Sequence, residues 1–347
     1  MKYTMNQAAW RTPAIWAGLA LLPLVMGDFG QAQLAQFMIY GIFALSLGFL
    51  WGHAGVLSFG HAIFFGIGAY AMALVSLDMV PVLGNSAITG LLLAIGVSGA
   101  AAAVFGAILF YGKGLAGAFF GIVTLCAAVI VESVAGRWEY IGGNNGLFGV
   151  PGVELPEGIP ESLSTYYMAF LIALLVYTGL RWLSRTPYGT ILAGIRDNDK
   201  RMAFLGYNIA LHKNIAFVLS SMLAALAGAL FAKMFGFVSP TLAGFALSTE
   251  VLIWVAVGGR HVLMGAFLGA LLVRGMETIL SERFGNYWLL LLGMAFVVVV
   301  VFFPTGLFGR LLHLGLPARF ARSRAPARQD GAPPEHVPQA RADASVS

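Results

Sequence analysis

The sequence predicts an all-α fold that crosses a lipid bilayer about ten times, and three observations carry the prediction. Hydrophobic residues fill 59% of the 347 positions against 10% charged, and mean hydropathy is +0.84. Apolar runs recur at close to the ~20 residues a helix needs to cross hydrocarbon. They are rich in Ala, Leu and Gly and do not alternate, which suits helices that pair their own backbone groups rather than the strands of a barrel. A soluble helical protein would interleave charges along its amphipathic faces, whereas 87–110 carries none.

In order, the predicted spans are 12–27, 34–52, 56–76, 87–110, 115–134, 165–183, 215–233, 243–258, 262–280 and 286–304. Lys2 and Arg11 ahead of the first resemble a cleavable leader, but no small-x-small site precedes Asp28, so it is read as a retained span. Only Gly258, Gly259, Arg260 and His261 separate the eighth and ninth; read as one bent segment they would make nine, and the expected count is about ten, with eight to ten open. Two spans return Arg310, Arg319, Arg322 and Arg324 to the side of Lys2 and Arg11, which places both termini in the cytoplasm. The same rule puts 136–164 outside and the basic loop 185–213 inside. Residues 1–11 then form a cytoplasmic N-terminus, 12–309 the membrane domain, and 310–347, rich in Pro, Ala and Arg, a tail expected to be disordered.

The net charge of +5 lies beside apolar spans, where Lys and Arg record orientation, so nucleic acid is not an expected partner and the bilayer is. Cys126, the single cysteine, is read as a small buried hydrophobe. Small residues one turn apart, Gly117 and Gly121, Ala224 and Gly228, Gly265 and Gly269, predict close helix packing and no ligand site. No HExxH, zinc-spaced Cys/His cluster, GxSxG or GxxxxGK(S/T) loop occurs, so neither a metal, a cofactor nor a catalytic residue is expected, and any ATPase would be a separate polypeptide.

Intramembrane charges are expensive and seldom kept without use. Arg274 and Glu277, one turn apart, read as a structural pair, which leaves Glu250 as the candidate unpaired carboxylate of a transport pathway. Ser58, Gly60 and His61 interrupt the third span and predict a broken or shortened helix. Ser58 and His61 read equally as pathway contacts and as polar ties between helices. The stretch GGNNG, 142–146, predicts tight turns with positive φ, and Asn144 and Asn145 on it are candidates for meeting a solute or a docking protein.

The densest charge lies in RDNDKRMAFLGYN, 196–208, with Arg196, Asp197, Asp199, Lys200 and Arg201 inside six positions. Asp197 or Asn198 caps a predicted short helix through Lys200 that stops at Gly206. Its apolar face is expected to show Met202, Leu205 and Phe204, ringed by Asp199, Lys200 and Arg201, a surface suited to a transient protein partner.

Seven blocks in order give this stretch a family context: GHAGVLSFGHAIFFGIGAY (52–70), FFGIVTLCAAVIVESV (119–134), IGGNNGLFGVPG (141–152), TPYGTILAGIRDNDKRMAFLGYN (186–208), AFVLSSMLAALAGALF (216–231), STEVLIWVAVGGRHVLMGAFLGA (248–270) and FFPTGLFG (302–309). Across 40–309 the chain resembles the inner-membrane permeases of branched-chain amino-acid ABC importers, and its LivM-type more than its LivH-type member. The resemblance implies that Arg196, Asp197, Asn198, Asp199, Lys200, Arg201, Met202, Leu205 and Gly206 form a coupling helix seated on a cytoplasmic ATPase. It further implies a bacterial inner-membrane location and four kinds of partner: a second, LivH-like permease, LivG- and LivF-like ATPases that bind ATP and Mg, and a periplasmic binding protein. Ile141 stands where the family commonly has threonine, and related permeases import urea or short amides, so branched-chain amino acids and small amides both stay open as solutes. An ion-coupled transporter acting alone is the alternative from another class; it predicts ATP-independent uptake and a large loss on Glu250→Gln.

Overall fold

The computed structural model of the chain describes residues 2–81, 84–111, 117–152, 160–287, 290, 293–294 and 306–308. The expected tail at 310–347 and most of the tenth predicted span, 286–304, lie outside them. The described residues are helical apart from short turns and one pair of two-residue strands, so the all-α expectation holds.

Eleven α-helices follow in order among the described residues: α1 Lys2–Leu21, α2 Asp28–Ala54, α3 Ala62–Ser76, α4 Ala87–Tyr111, α5 Ala118–Arg137, α6 Glu161–Leu183, α7 Pro187–Asp197, α8 Asp199–Phe204, α9 Ile209–Phe235, α10 Phe245–Gly258 and α11 Leu263–Phe284. Six of these are long and apolar enough to cross a bilayer: α2, α4, α5, α6, α9 and α11. Three shorter apolar helices, Arg11–Val25, Ala62–Ser76 and Phe245–Gly258, occupy the first, third and eighth predicted spans. The eighth and ninth spans are separate, because Gly259 ends α10 in an irregular conformation (φ 114°) and Val262 restarts the chain as α11. The predicted helix boundaries otherwise shift, most at α1, which begins at Lys2, and then at α2, α3 and α9, which begin at Asp28, Ala62 and Ile209.

The bundle is built around α2 and α9. Helix α2 is buried over most of its length and carries Phe43, Phe49, Leu45 and Leu47 at zero exposure. Removing such side chains from a close-packed core costs several kcal/mol each, about 3–5 for Phe. Against α9 the neighbouring helices come close enough to need glycine: a Cβ on Gly228 would collide with the Phe65 carbonyl of α3, and one on Gly68 with that of Ala225. Helix α4 presents a buried stripe of small residues at four-residue spacing, Gly90, Ala94, Ser98, Ala102 and Gly106, and Ser98 Oγ donates to the Ser221 carbonyl of α9 at 3.0 Å. The α10–α11 hairpin closes through Gly258, Gly265 and Gly269, of which the last two belong to the predicted small-residue pairs. Cys126 is exposed, contrary to expectation. Helix α5 buries only a narrow stripe, and Cys126 lies with Ile122, Val129 and Ile130 on the side facing away from the bundle.

Beyond the ends of α5 and α9, strand β1 (Leu147–Phe148) pairs antiparallel with β2 (Phe237–Val238), Leu147 opposite Val238 and Phe148 opposite Phe237. This tie fixes the loop after α5 to the end of α9. Lys233 of α9 reinforces it by donating to the Pro151 carbonyl at 3.0 Å.

Candidate functional site

Between α2 and α3 the helix is broken, as predicted. Gly55 ends α2 in the left-handed conformation (φ 71°), and 55–61 runs without helical pairing until α3 begins at Ala62. Backbone groups freed inside hydrocarbon need other partners. Two hydroxyls supply them: Thr124 Oγ1 of α5 accepts from Phe59 N at 3.0 Å, and Ser248 Oγ of α10 accepts from Ala62 N at 3.1 Å. Gly60 is required at the break because a Cβ there would strike the Thr124 carbonyl.

His61 and Ser58 lie on this break and both are fully buried. His61 Nε2 meets Ser46 Oγ of α2 at 2.9 Å and Ser220 Oγ of α9 at 3.3 Å, while its ring stacks on Phe43 with centroids 5.6 Å apart. Ser220 Oγ in turn donates to the Ser46 carbonyl at 2.6 Å. The arrangement is a polar knot that joins two central helices through the break. Among the described residues it has no carboxylate beside it, so it lacks the third member that orients a nucleophile and base. The packing reading of His61 is thus realised, but Ser58 Oγ and His61 Nδ1 have no hydrogen-bond partner among the described residues. A buried polar atom left so costs about 1–3 kcal/mol.

Glu250 is not an unpaired carboxylate. Arg274 of α11 lies 3.6 Å from it and 2.7 Å from Glu277, which confirms the predicted Arg274–Glu277 pair and extends it to three charges. The guanidinium also sits over the Tyr40 ring at 4.5 Å and the Trp254 ring at 5.8 Å. The correction has a simple origin: Glu250 and Arg274 are distant in sequence, and only the hairpin of α10 and α11 brings them together.

Beyond α5, GGNNG forms the tight turns predicted, with φ of 86°, 52° and 77° at Gly142, Gly143 and Gly146. Asn144 and Asn145 are exposed there. Near them Trp138 and Tyr140 are exposed, and Tyr140 OH reaches the Met79 carbonyl at 2.8 Å. The pathway candidates therefore fall in three places: Ser58 and His61 on the break, Glu250 in the charge cluster, Asn144 and Asn145 at the rim. Ser248 connects the first two, since the residue that holds the break is two positions from Glu250.

The loop 185–213 contains two helices where the sequence predicts one. Thr186 and Pro187 start α7 by the usual capping chemistry, with Thr186 Oγ1 accepting from Gly189 N at 3.5 Å. Asn198, rather than Asp197, caps α8 by accepting from Arg201 N at 2.9 Å, and Gly206 (φ 89°) ends the turn as expected. Asn208 then caps α9 through Leu211 N at 3.0 Å. The predicted apolar face divides. Met202 tucks against Gly194 of α7, while Phe204 and Leu205 point outward, 92% and 72% exposed. Lys200 and Arg201 are exposed, and Asp199 is held by Lys213 at 2.5 Å. Arg196 turns inward, donating from Nη1 to the Gly52 carbonyl at 2.6 Å and from Nε and Nη2 to Asp197 Oδ1 at 3.0 Å each. Tyr188 OH donates to the His212 carbonyl at 3.0 Å, and burial pushes its phenol above the ordinary tyrosine value. Sequence reasoning passed over Ser46, Thr124, Ser220 and Ser248. Their only signal is a hydroxyl in an apolar run, which is also how ordinary helix packing looks.

A membrane-spanning bundle with a broken helix at its centre, and a capped two-helix elbow docked at the end of α2 with α8 projecting from it, defines the class: a polytopic permease. Residues 31–300 match the family of the branched-chain amino acid transport system permease component, and the chain belongs to that family. It is 31% identical over 295 residues to the high-affinity branched-chain amino acid transport system permease protein LivM of Salmonella typhimurium, covering 78% of this chain and 68% of the relative. LivM of Escherichia coli is 30% identical over 296 residues with the same coverage. The autoinducer 2 import system permease protein LsrC of Klebsiella pneumoniae is 30% identical over 182 residues, 48% of this chain and 52% of the relative. No solved structure matches.

Proposed function

We propose that this chain is the inner-membrane permease of a binding-protein-dependent importer for branched-chain amino acids, driven by ATP hydrolysis on separate subunits. One observation carries the reading beyond the family: Phe204 at the end of α8 and Leu205 just after it are exposed beside Lys200 and Arg201, on an elbow fixed at three points by side-chain caps. Large apolar side chains flanked by charge on a rigid short helix suit a protein groove. In this reading α7 and α8 face the cytoplasm and seat on an ATPase that holds ATP and Mg. The turn at Asn144 and Asn145 faces the binding protein, and a second, homologous permease completes the pathway. ATP binding closes the ATPases and moves the elbow, and the bundle exchanges access between its two faces; a solute shifts that equilibrium only through its differing affinity for the two states.

The relatives named for autoinducer 2 import support a second reading, in which the same architecture carries another small polar solute. The test is uptake of labelled leucine into proteoliposomes holding this chain with the permease, ATPases and binding protein encoded beside it, with and without ATP on the ATPase side, and with Lys200→Glu and Arg201→Glu together. ATP-dependent uptake abolished by the double change supports the proposal. ATP hydrolysis that responds only when urea, an amide or another solute replaces leucine keeps the architecture and overturns the substrate. Uptake indifferent to ATP and collapsed by an ionophore overturns the proposal and favours an ion-coupled carrier.

A further inference from the structure

We propose that Arg196 is the positioning residue that carries displacement of the α7–α8 elbow into the break between α2 and α3. The inference rests on the importer reading above and adds the route by which the elbow acts on the bundle.

Arg196 stands in the most charged stretch of the chain, yet only 29% of its side chain is exposed. Its guanidinium is held from two sides, by the Gly52 carbonyl in the last turn of α2 and by Asp197. Its stem lies against Gly55, where a Cβ would crowd Arg196 Cγ and Cβ; a side chain there is disfavoured twice, by that contact and by φ of +71°. Gly52 is also pressed on the Arg260 carbonyl, so the α10–α11 turn meets the same point. An ATPase contact would be expected to project as Lys200 and Arg201 do. Arg196 instead grips the residues at which α2 ends.

The segment beyond Gly55 is the part of the bundle best placed to move. Residues 55–61 have no helical pairing; Val56 N donates to the Leu50 carbonyl, Phe59 N to Thr124 and His61 belongs to the knot, while Ser248 holds Ala62 N just beyond them. They also contain the fully buried Ser58 Oγ and His61 Nδ1, which lack partners among the described residues. A conformation that brings these atoms to water or solute recovers part of their burial penalty, which offsets part of the cost of leaving the one observed. Arg196 is the connection through which the elbow reaches that segment.

The test uses the complete reconstituted transporter with Cys126→Ser, which removes the exposed native thiol, and Ser58→Cys as reporter. The rate at which a charged methanethiosulfonate labels the reporter thiol is measured without nucleotide and with ADP and vanadate, for Arg196, Arg196→Met and Arg196→Lys. Methionine keeps the stem on Gly55 and removes the donors; lysine keeps the charge and one donor group. With Arg196 the two states are expected to differ about tenfold, the ratio set by about 1.4 kcal/mol. With methionine the ratio is expected to fall below about twofold while the ATPases still co-elute, and lysine is expected to lie between. An unchanged ratio in Arg196→Met overturns the inference, as does loss of ATPase co-elution, which would make Arg196 a docking residue. Should Arg196→Met fail to fold, Arg196→Lys decides: a ratio equal to that of Arg196 overturns the inference and a reduced one supports it. No nucleotide response of the reporter thiol with Arg196 present, in vesicles that take up solute on ATP, overturns this inference alone; absence of ATP-driven uptake overturns the proposed function instead.

Discussion

Replacing Arg274 with methionine should destabilise the bundle far more than neutralising Glu250. Arg274 is the cation between two carboxylates, 2.7 Å from Glu277 and 3.6 Å from Glu250, and it covers the Tyr40 ring at 4.5 Å. Its side chain is 17% exposed and that of Glu277 20%, against 42% for Glu250. Methionine keeps much of the length and removes the charge, leaving the largely buried Glu277 without its cation. Breaking a buried pair from one side costs about 3–5 kcal/mol. The lost cation–π contact is a further fraction of that order, about 0.5–2 kcal/mol. Glu250→Gln leaves the shorter pair intact and removes a half-exposed, longer one, for which the expected cost is about 0–1 kcal/mol. Arg274→Met with Glu277→Gln removes both halves of the pair and should recover a substantial part of the loss, the non-additivity expected of a coupled pair. The assay is SDS-driven unfolding in mixed micelles followed by tryptophan fluorescence, with the midpoint compared across the variants. A loss under about 1 kcal/mol for Arg274→Met, or an equal loss for Glu250→Gln, would refute the view that Arg274 neutralises this cluster. Uptake separates the transport classes: Glu250→Gln should leave ATP-driven transport largely intact, whereas an ion-coupled carrier using Glu250 would lose it.

Other substitutions test the break, the core and the elbow. Thr124→Val preserves shape but strands the Phe59 N–H, so a loss of about 1–3 kcal/mol is expected in the same unfolding assay, with Thr124→Ser close to the native value. Gly228→Leu forces α9 away from the Phe65 carbonyl, and size-exclusion chromatography in mild detergent should show aggregated or unfolded chain; Gly179→Leu, with nothing near its Cβ position, should elute normally. Asn198→Ala removes the cap of α8 and is expected to cost about 0.5–2 kcal/mol locally, read as faster amide exchange over 199–204 with α9 unchanged. Phe204→Asp should abolish ATPase co-purification without changing the chain's own unfolding midpoint, because Phe204 is 92% exposed and packs little against the bundle.

The long helices were legible because their signal is local: a run of apolar residues suffices for α4, α5, α6 and α9, whatever lies beside them. The break at 55–61 was legible for the same reason, since Ser58, Gly60 and His61 interrupt such a run visibly. Pairing was not. Nothing at Glu250 announces Arg274, and nothing at His61 announces Ser46 or Ser220, because these contacts depend on how α2, α9, α10 and α11 are arranged in space. The exposure of Cys126 was hidden for a related reason, as an apolar run does not reveal which of its faces meets the bundle. In the elbow, the cap and the terminating Gly206 were legible as chemistry. The division of Met202 from Phe204 and Leu205, and the inward turn of Arg196, required the presence of α7.

The small β1–β2 pair gives α9 a mechanical character that no sequence motif suggests. At one end the strands and the Lys233–Pro151 bond fasten the helix to the loop bearing Asn144 and Asn145; at the other, Asn208 joins it to the elbow. Between them run 27 uninterrupted helical residues, a length of about 40 Å, with no proline within it. A single straight strut thus links the rim to the elbow, as a push rod links two plates, and midway along it Ser220 ties it to His61 at the broken segment.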